Sequence, residues 1–251
     1  MNYPEILMLS ATAFIAGVVD SVAGGGGLIQ IPALMLAGLS PQTVLGTNKC
    51  AMTLGTSVSV VTFWRKGKIY FPIIGYGIAF TLVGGFLGGK LVMMLPQAIV
   101  GKLMIGLLPM GLLALLMKRR RDGADPTLKP IDKWLKIPLI CSSLGLYDGF
   151  FGPGTGSFLV MGFYMFLHRD LLESTANAKV FNWVSNMGAL GVFLMNGRVL
   201  FHLALPMAAA SMSGNYLGSR LAIQKGQGLI RGCLLGVLIL LMVTLVVRFV
   251  L

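Results

Sequence analysis

Two short stretches decide the fold: Gly17-Val-Val-Asp20-Ser-Val-Ala-Gly24-Gly-Gly26 and Gly145-Leu-Tyr-Asp148-Gly-Phe-Phe-Gly152-Pro-Gly154. Each places an aspartate shortly before a cluster of glycines, and each lies in a largely apolar part of the chain. A helix does not continue stably through consecutive glycines, and Pro153 has no backbone donor. The two stretches therefore predict two interrupted helices.

The surrounding chain has the composition of a membrane protein. Apolar residues make up 56% of the 251 residues and charged residues only 11%, whereas roughly 25% of a soluble domain is charged. A spanning helix needs roughly 20 apolar residues, and runs without charge recur at 21–48, 69–89, 180–197, 199–219 and 232–247. The sequence predicts an all-α, polytopic transmembrane helical bundle whose solvent is the lipid bilayer.

The net charge of +12 is explained by topology rather than by a nucleic-acid partner. Ten of the twenty basic residues lie in two connections: Arg65, Lys66, Lys68, Lys118, Arg119, Arg120, Arg121, Lys129, Lys133 and Lys136. Cytoplasmic loops carry an excess of Lys and Arg. We therefore expect loops 65–68 and 118–136 on the cytoplasmic side of the cell (inner) membrane.

The chain reads as two homologous repeats. Asp20 matches Asp148 at a distance of 128 positions, and one two-residue slip then brings Lys49 onto Lys179 and Gly84-xxx-Gly88 onto Gly214-xxx-Gly218 at a distance of 130. Transporters are often built from such repeats. We predict a first repeat at 1–117, a basic linker at 118–136 and a second repeat at 137–251.

The number of membrane crossings has two solutions. If the pieces around each glycine cluster fold back as re-entrant hairpins, each half crosses three times and the halves are inverted. If they form one broken spanning helix, each half crosses four times and the halves are parallel. Arg220, Lys225 and Arg231 outnumber Arg198, which places the 219–231 loop in the cytoplasm and favours inversion.

The glycine breaks are candidate anion sites. Freed backbone N–H groups are tolerated at membrane depth only in a protein-lined or watery cavity, and a helix N-terminus attracts anions. Lysine and amide groups downstream are also suited to an oxyanion, although a lysine also snorkels and glycines also serve bends. The predicted substrate-binding residues are Gly24, Gly25, Gly26, Gly27, Thr47, Asn48, Lys49, Gly152, Gly154, Thr155, Gly156, Ser157, Asn177 and Lys179.

Asp20 and Asp148 are charges in apolar surroundings. A charge at the bilayer centre costs about 2.5–3.5 kcal/mol on insertion scales, so it usually marks a pathway or a buried pair. Two interpretations stay open. The aspartates couple transport to protons, or they cap helices or pair with Lys49 and Lys179.

At these residues the chain resembles the TauE/SafE sulfite exporter family. The resemblance rests on Asp20 with the Gly24–Gly27 run, on Leu45-Gly46-Thr47-Asn48-Lys49, and on Gly152-Pro-Gly-Thr-Gly156 with Asn177-Ala178-Lys179. It implies a plasma-membrane transporter of sulfite, sulfonates or related anions that works without ATP hydrolysis. Ala178 departs from the Asn48 of the first half, so the two breaks need not contribute equally.

We therefore expect a secondary transporter that exports small sulfur-containing oxyanions through a site between the repeats, without a cofactor or metal. Another small anion of carboxylate or phosphate type is the first alternative. An integral membrane enzyme is a weaker one, because isolated cysteines and two distant histidines offer no paired nucleophile and base. A scaffold or channel, and a homodimer, are left open.

Overall fold

Helices make up the regular structure in the computed structural model, which describes residues 3–103 and 128–249. The all-α class is confirmed, since no strand occurs in these residues. The bounds are α1 Tyr3–Ala23, α2 Gly27–Leu36, α3 Pro41–Arg65, α4 Phe71–Met94, a π-helix Asp132–Lys136, α5 Ile137–Phe150, α6 Thr155–Phe166, α7 Leu171–Met195 and α8 Phe201–Phe249.

The structure describes only part of the segment before the 118–136 linker, whereas it describes the backbone of the whole predicted 219–231 loop. Residues 97–103 are helical, but residues 104–127, which include the basic cluster Lys118–Arg121, lie outside the described residues. Within α8, Gly226 has a non-helical conformation with φ 61° and ψ −146° and separates two helical stretches. This interruption falls in the predicted 219–231 loop.

The polarity of the bundle is the reverse of that of a water-soluble protein. Its interior holds charged and amide side chains, namely Asp20, Lys49, Asp148, Asn177, Lys179 and Asn215. Its outer surface carries large apolar side chains, among them Phe14, Ile78, Phe86, Leu205 and Leu217. In the described part of the chain, α1 and α4 are each long and apolar enough to cross a membrane. This distribution suits a hydrocarbon solvent around the bundle.

Two sets of helices run in opposite directions. In the first set, α1 is parallel to α8, because Phe14 contacts Gly214 and Val18 contacts Gly218. α3 is also parallel to α8, because Thr47 contacts Leu200 and Ser59 contacts Asn215. In the second, α4, α5 and α7 are parallel, as fixed by Gly77 with Cys141 and Phe181, and Gly85 with Gly149 and Ser185. The sets are antiparallel, because Gly46 of α3 meets Phe193 of α7 while Lys49 meets Asn186.

These directions bear on the predicted repeat. The proposed counterparts α1 and α5, α3 and α7, and α4 and α8 each fall in opposite sets. An inverted pair of halves requires this arrangement, and a parallel pair would not give it. The homology of the halves, with its bounds 1–117 and 137–251, stays a prediction.

Each glycine break ends in a helix that folds back. Ile31 and Leu34 of α2 pack with Leu9 near the start of α1 and with Val44 near the start of α3. α2 therefore returns to the end of the bundle from which α1 came. Its 10 residues span about 15 Å, half of a hydrocarbon core of about 30 Å. This is a re-entrant hairpin.

The second hairpin enters from the opposite end of the bundle. Val160 and Phe163 of α6 pack with Ile137 at the start of α5 and with Leu171 at the start of α7. The same cluster contains Phe63, Ile73 and Ala222. We call this end of the bundle the basic end, because it also carries Arg65, Lys66, Lys68, Lys129, Lys133, Lys136, Arg169, Arg220 and Lys225. Fewer basic side chains, Lys90, Lys102 and Arg198, lie toward the other end in the described ranges.

Candidate functional site

The two glycine breaks contact each other between the hairpins. Gly24 has a φ of +80°, and a Cβ atom at this position would overlap the backbone of Gly156 and Ser157. Gly27 lies against Pro153, and the Ser157 hydroxyl donates a 2.6 Å hydrogen bond to the Ala23 carbonyl. Only a residue without a side chain permits this approach of backbone to backbone. The N-termini of α2 and α6 therefore meet in the interior.

Two ion pairs cross between the halves at this point. Lys49 Nζ lies 2.8 Å from Asp148 Oδ2, and Lys179 Nζ lies 2.9 Å from Asp20 Oδ2. All four side chains are at most 3% exposed. Both aspartates therefore pair with a lysine, and each lysine comes from the opposite half.

The two pairs have different surroundings. Lys49 also donates to Asn186 Oδ1 at 2.7 Å, and Asp148 accepts a 2.6 Å hydrogen bond from the Ser185 hydroxyl. Asp20 accepts longer hydrogen bonds, of 3.4 Å each, from the Thr56 hydroxyl and from the backbone N–H of Gly26. The pair built on Asp148 is thus the more closely hydrogen-bonded of the two.

A small cavity of about 10 Å³ lies between the ion pairs and the breaks. A volume of this size holds at most one water molecule, and the charged and amide side chains that line it are buried. The lining residues are Asp20, Gly24, Gly27, Asn48, Lys49, Met52, Asp148, Gly152, Asn182 and Asn186.

A sequence profile described as "Sulfite exporter TauE/SafE" matches residues 9–245. The chain belongs to the TauE/SafE family. A probable membrane transporter protein, ORF9, of a Sinorhizobium species is 35% identical over 96% of this chain and 92% of its own length. Probable membrane transporter proteins of Haemophilus influenzae and of Escherichia coli K12, the latter called YfcA, are 35% and 37% identical over 90% and 89% of this chain and 88% and 83% of their own. No solved structure matches.

Family membership makes this protein a membrane transporter, in agreement with its inside-out polarity. Of the predicted substrate residues of this TauE/SafE transporter, five line the central cavity: Gly24, Gly27, Asn48, Lys49 and Gly152. Lys179 does not line the cavity but forms an ion pair with Asp20, which does.

The other predicted residues shape the site without lining the cavity. Thr47 accepts a 3.2 Å hydrogen bond from Leu200 N, and Asn177 accepts one of 3.2 Å from Tyr70 N. These side chains anchor the starts of α8 and α4, because first-turn N–H groups have no intrahelical partner. The remaining members of the predicted set build the breaks and their contact: Gly25, Gly26, Gly154, Thr155, Gly156 and Ser157.

Three cavity residues of the TauE/SafE fold were missed from the sequence: Met52, Asn182 and Asn186. The signal for the two asparagines was helical spacing, since they follow Lys179 by three and seven residues on α7 and share its face. Met52 stands at the position that matches Asn182 in the other half, and its apolar side chain gave no signal.

Two buried amide side chains of this transporter have polar atoms without a hydrogen-bond partner among the residues that the structure describes. Asn48 Oδ1 is unpaired at the cavity, and both polar atoms of Gln30 are unpaired although the residue is 0% exposed. Gln30 lies one turn after Gly27 on α2. An unsatisfied buried polar group costs about 1–3 kcal/mol, and of these two residues only Asn48 lines the cavity.

Proposed function

We propose that this protein is a secondary transporter that exports small sulfur-containing oxyanions, sulfite or organosulfonates, through the central cavity. The description of the family supports the substrate class. The observation that carries the proposal is the pair of crossed Lys–Asp contacts at the meeting point of the two breaks, because it supplies two ammonium groups deep in an apolar bundle.

The anion-binding groups come from both halves. α2 and α6 begin at the breaks, so the positive ends of two helix dipoles face the cavity region. Lys49 and Lys179 add full positive charge, and Asn48 places a side-chain amide, whose NH2 group can donate to an oxyanion, at the cavity. Asn177, Thr155 and Ser157 support the site by holding helix starts and the contact between the breaks.

Alternating access follows from the opposed directions of the halves. The α1–α2 hairpin reaches the cavity from one end and the α5–α6 hairpin from the other, so rocking of either hairpin opens the cavity to one side only. The ion pairs join the two hairpin regions to α3 and α7 and close the site between openings. We further propose that Asp20 and Asp148 link this cycle to protons.

The basic end is proposed to face the cytoplasm. Loops 65–68 and 118–136 would then lie inside the cell, in line with the excess of Lys and Arg on that side. The apolar outer surface would contact the lipids of the cell (inner) membrane.

The test is the flux of labelled anions in proteoliposomes containing the purified protein. We expect flux of sulfite or of an organosulfonate above that of empty vesicles. Phosphate and a small carboxylate, run in the same assay, distinguish a sulfur-anion transporter from the alternative anion classes. If no anion moves in either direction under any imposed pH gradient, the proposal is wrong.

A further inference from the structure

The central site carries no net charge. Two ammonium groups, Lys49 and Lys179, face two carboxylates, Asp20 and Asp148, in contacts of 2.8 and 2.9 Å. At most 3% of any of these side chains is exposed. A further unpaired charge in such surroundings is expensive to bury, because water no longer solvates it.

An anion that enters this site must therefore bring compensating positive charge. We propose that each negative charge of the substrate enters with one proton, which is taken up by a paired aspartate, so that transport is electroneutral anion–proton cotransport. This inference rests on the proposed anion-transport function and specifies its coupling.

The step balances in atoms and charge. A proton from bulk water forms an O–H bond on an oxygen of Asp148, and the neutral carboxyl group releases the Lys49 ammonium. An oxygen of the anion then becomes the hydrogen-bond partner of Lys49. The sum of charges is zero before and after. On the opposite side the anion and the proton leave together, and the ion pair forms again.

Asp148 is the first acceptor because its partner stays in place without it. Lys49 also donates to Asn186 Oδ1 at 2.7 Å, so the ammonium remains directed into the site after the carboxylate is neutralised. The titratable groups that line the cavity are Lys49 from α3, Asp20 from α1 and Asp148 itself, with Lys179 of α7 behind Asp20. The Tyr147 hydroxyl is bonded to the Pro153 carbonyl, and α4 and α6 contribute no titratable lining group.

The second ion pair, Lys179 with Asp20, determines how many protons can accompany one anion. A monovalent anion needs one proton, on Asp148. A divalent anion needs two, and Asp20 accepts the second while Lys179 provides the second ammonium. The number of protons that accompany an anion therefore equals its negative charge, and no net charge crosses the membrane.

Labelled sulfite flux into proteoliposomes, with the membrane potential clamped by potassium and valinomycin, tests this coupling in the unaltered protein. We expect a pH gradient to drive accumulation at zero potential, and a change of about 100 mV to leave the accumulation ratio unchanged. Movement of one net charge would change that ratio about 50-fold for the same potential step. Flux that follows potential and ignores the pH gradient overturns the coupling but leaves anion transport standing, whereas absence of any anion flux overturns the proposed function.

The variant Asp148→Asn tests the residue. It carries a permanently neutral side chain, so we expect each sulfite to move with one proton fewer than in the unaltered protein, which leaves one uncompensated negative charge and makes the flux respond to potential. Asp132→Asn is the matched control, because Asp132 also pairs with a lysine, Lys136 at 2.7 Å, but lies away from the cavity. Retention of pH-driven, potential-independent flux in Asp148→Asn would remove Asp148 from the coupling step.

Discussion

Lys49 and Asp148 neutralise each other inside an apolar bundle, so each residue needs the other to keep its buried charge compensated. A buried ion pair adds little net stability compared with an apolar pair, but one partner left alone is a buried charge. The same holds for Lys179 and Asp20. A test of the stability of either pair therefore needs a variant in which both members are changed.

The variant Lys49→Met should lower the free energy of unfolding by about 3–5 kcal/mol, because it leaves Asp148 unpaired. Adding Asp148→Leu should restore most of the loss, since no buried charge then remains. Thermal unfolding of the purified variants in detergent measures both effects. A double variant that is no more stable than the single one would show that the contact is not an isolated charge pair.

Gly24→Ala should prevent correct assembly of the site. A Cβ there would overlap the backbone of Gly156, in addition to the strain of a φ of +80°. Gly38→Ala is the matched control, because Gly38 has a φ of +81° and no atom of the described ranges lies within 4 Å of the position that its Cβ would take. This variant should carry only the left-handed penalty of roughly 1–2 kcal/mol. Yield and melting temperature of both variants check this, and equal losses would contradict a packing role for Gly24.

At the scale of the elements, the two helix breaks could be predicted from the sequence, but the pairing of the charged residues beside them could not. Consecutive glycines and Pro153 predict a break in an apolar helix, and the start of α2 at Gly27 agrees with that prediction. The sequence does not determine which aspartate pairs with which lysine. Pairing within a half and pairing across halves use the same residues, and only the three-dimensional arrangement of α1, α3, α5 and α7 distinguishes them.

The opposed directions of α3 and α7 give a topology prediction. Lys66 and Asn196 are matched positions in the two halves and both are exposed. In a background without native cysteines, Lys66→Cys should react with a membrane-impermeant thiol reagent only from the cytoplasmic side, and Asn196→Cys only from the outer side. Labelling of intact and opened cells measures this. Reaction of both cysteines from one side would indicate parallel halves.

For the whole molecule, composition alone determined the solvent and the fold class, because apolar runs of bilayer length leave few alternatives. The site was predicted in part. Lys49, Asn48 and the glycines stood out as polar or flexible residues in apolar surroundings, whereas Asn182 and Asn186 lie in a helix that already contains many polar residues, among them Ser174, Thr175, Asn177 and Ser185. The crossing of the two ion pairs between the halves is a property of the assembled bundle and could not be inferred from either half alone.

The most direct test of the crossed ion pairs as an anion site is a titration of the purified protein with sulfite while its melting temperature is measured. We predict a rise for the unaltered protein, equivalent to about 2.7 kcal/mol at a concentration 100 times the dissociation constant, and the same rise for the distant double variant Asp132→Leu with Lys136→Met. The charge-neutral variant Lys49→Met with Asp148→Leu should fold but show no rise. An undiminished rise in that variant would contradict the claim that the crossed ion pairs form the anion site.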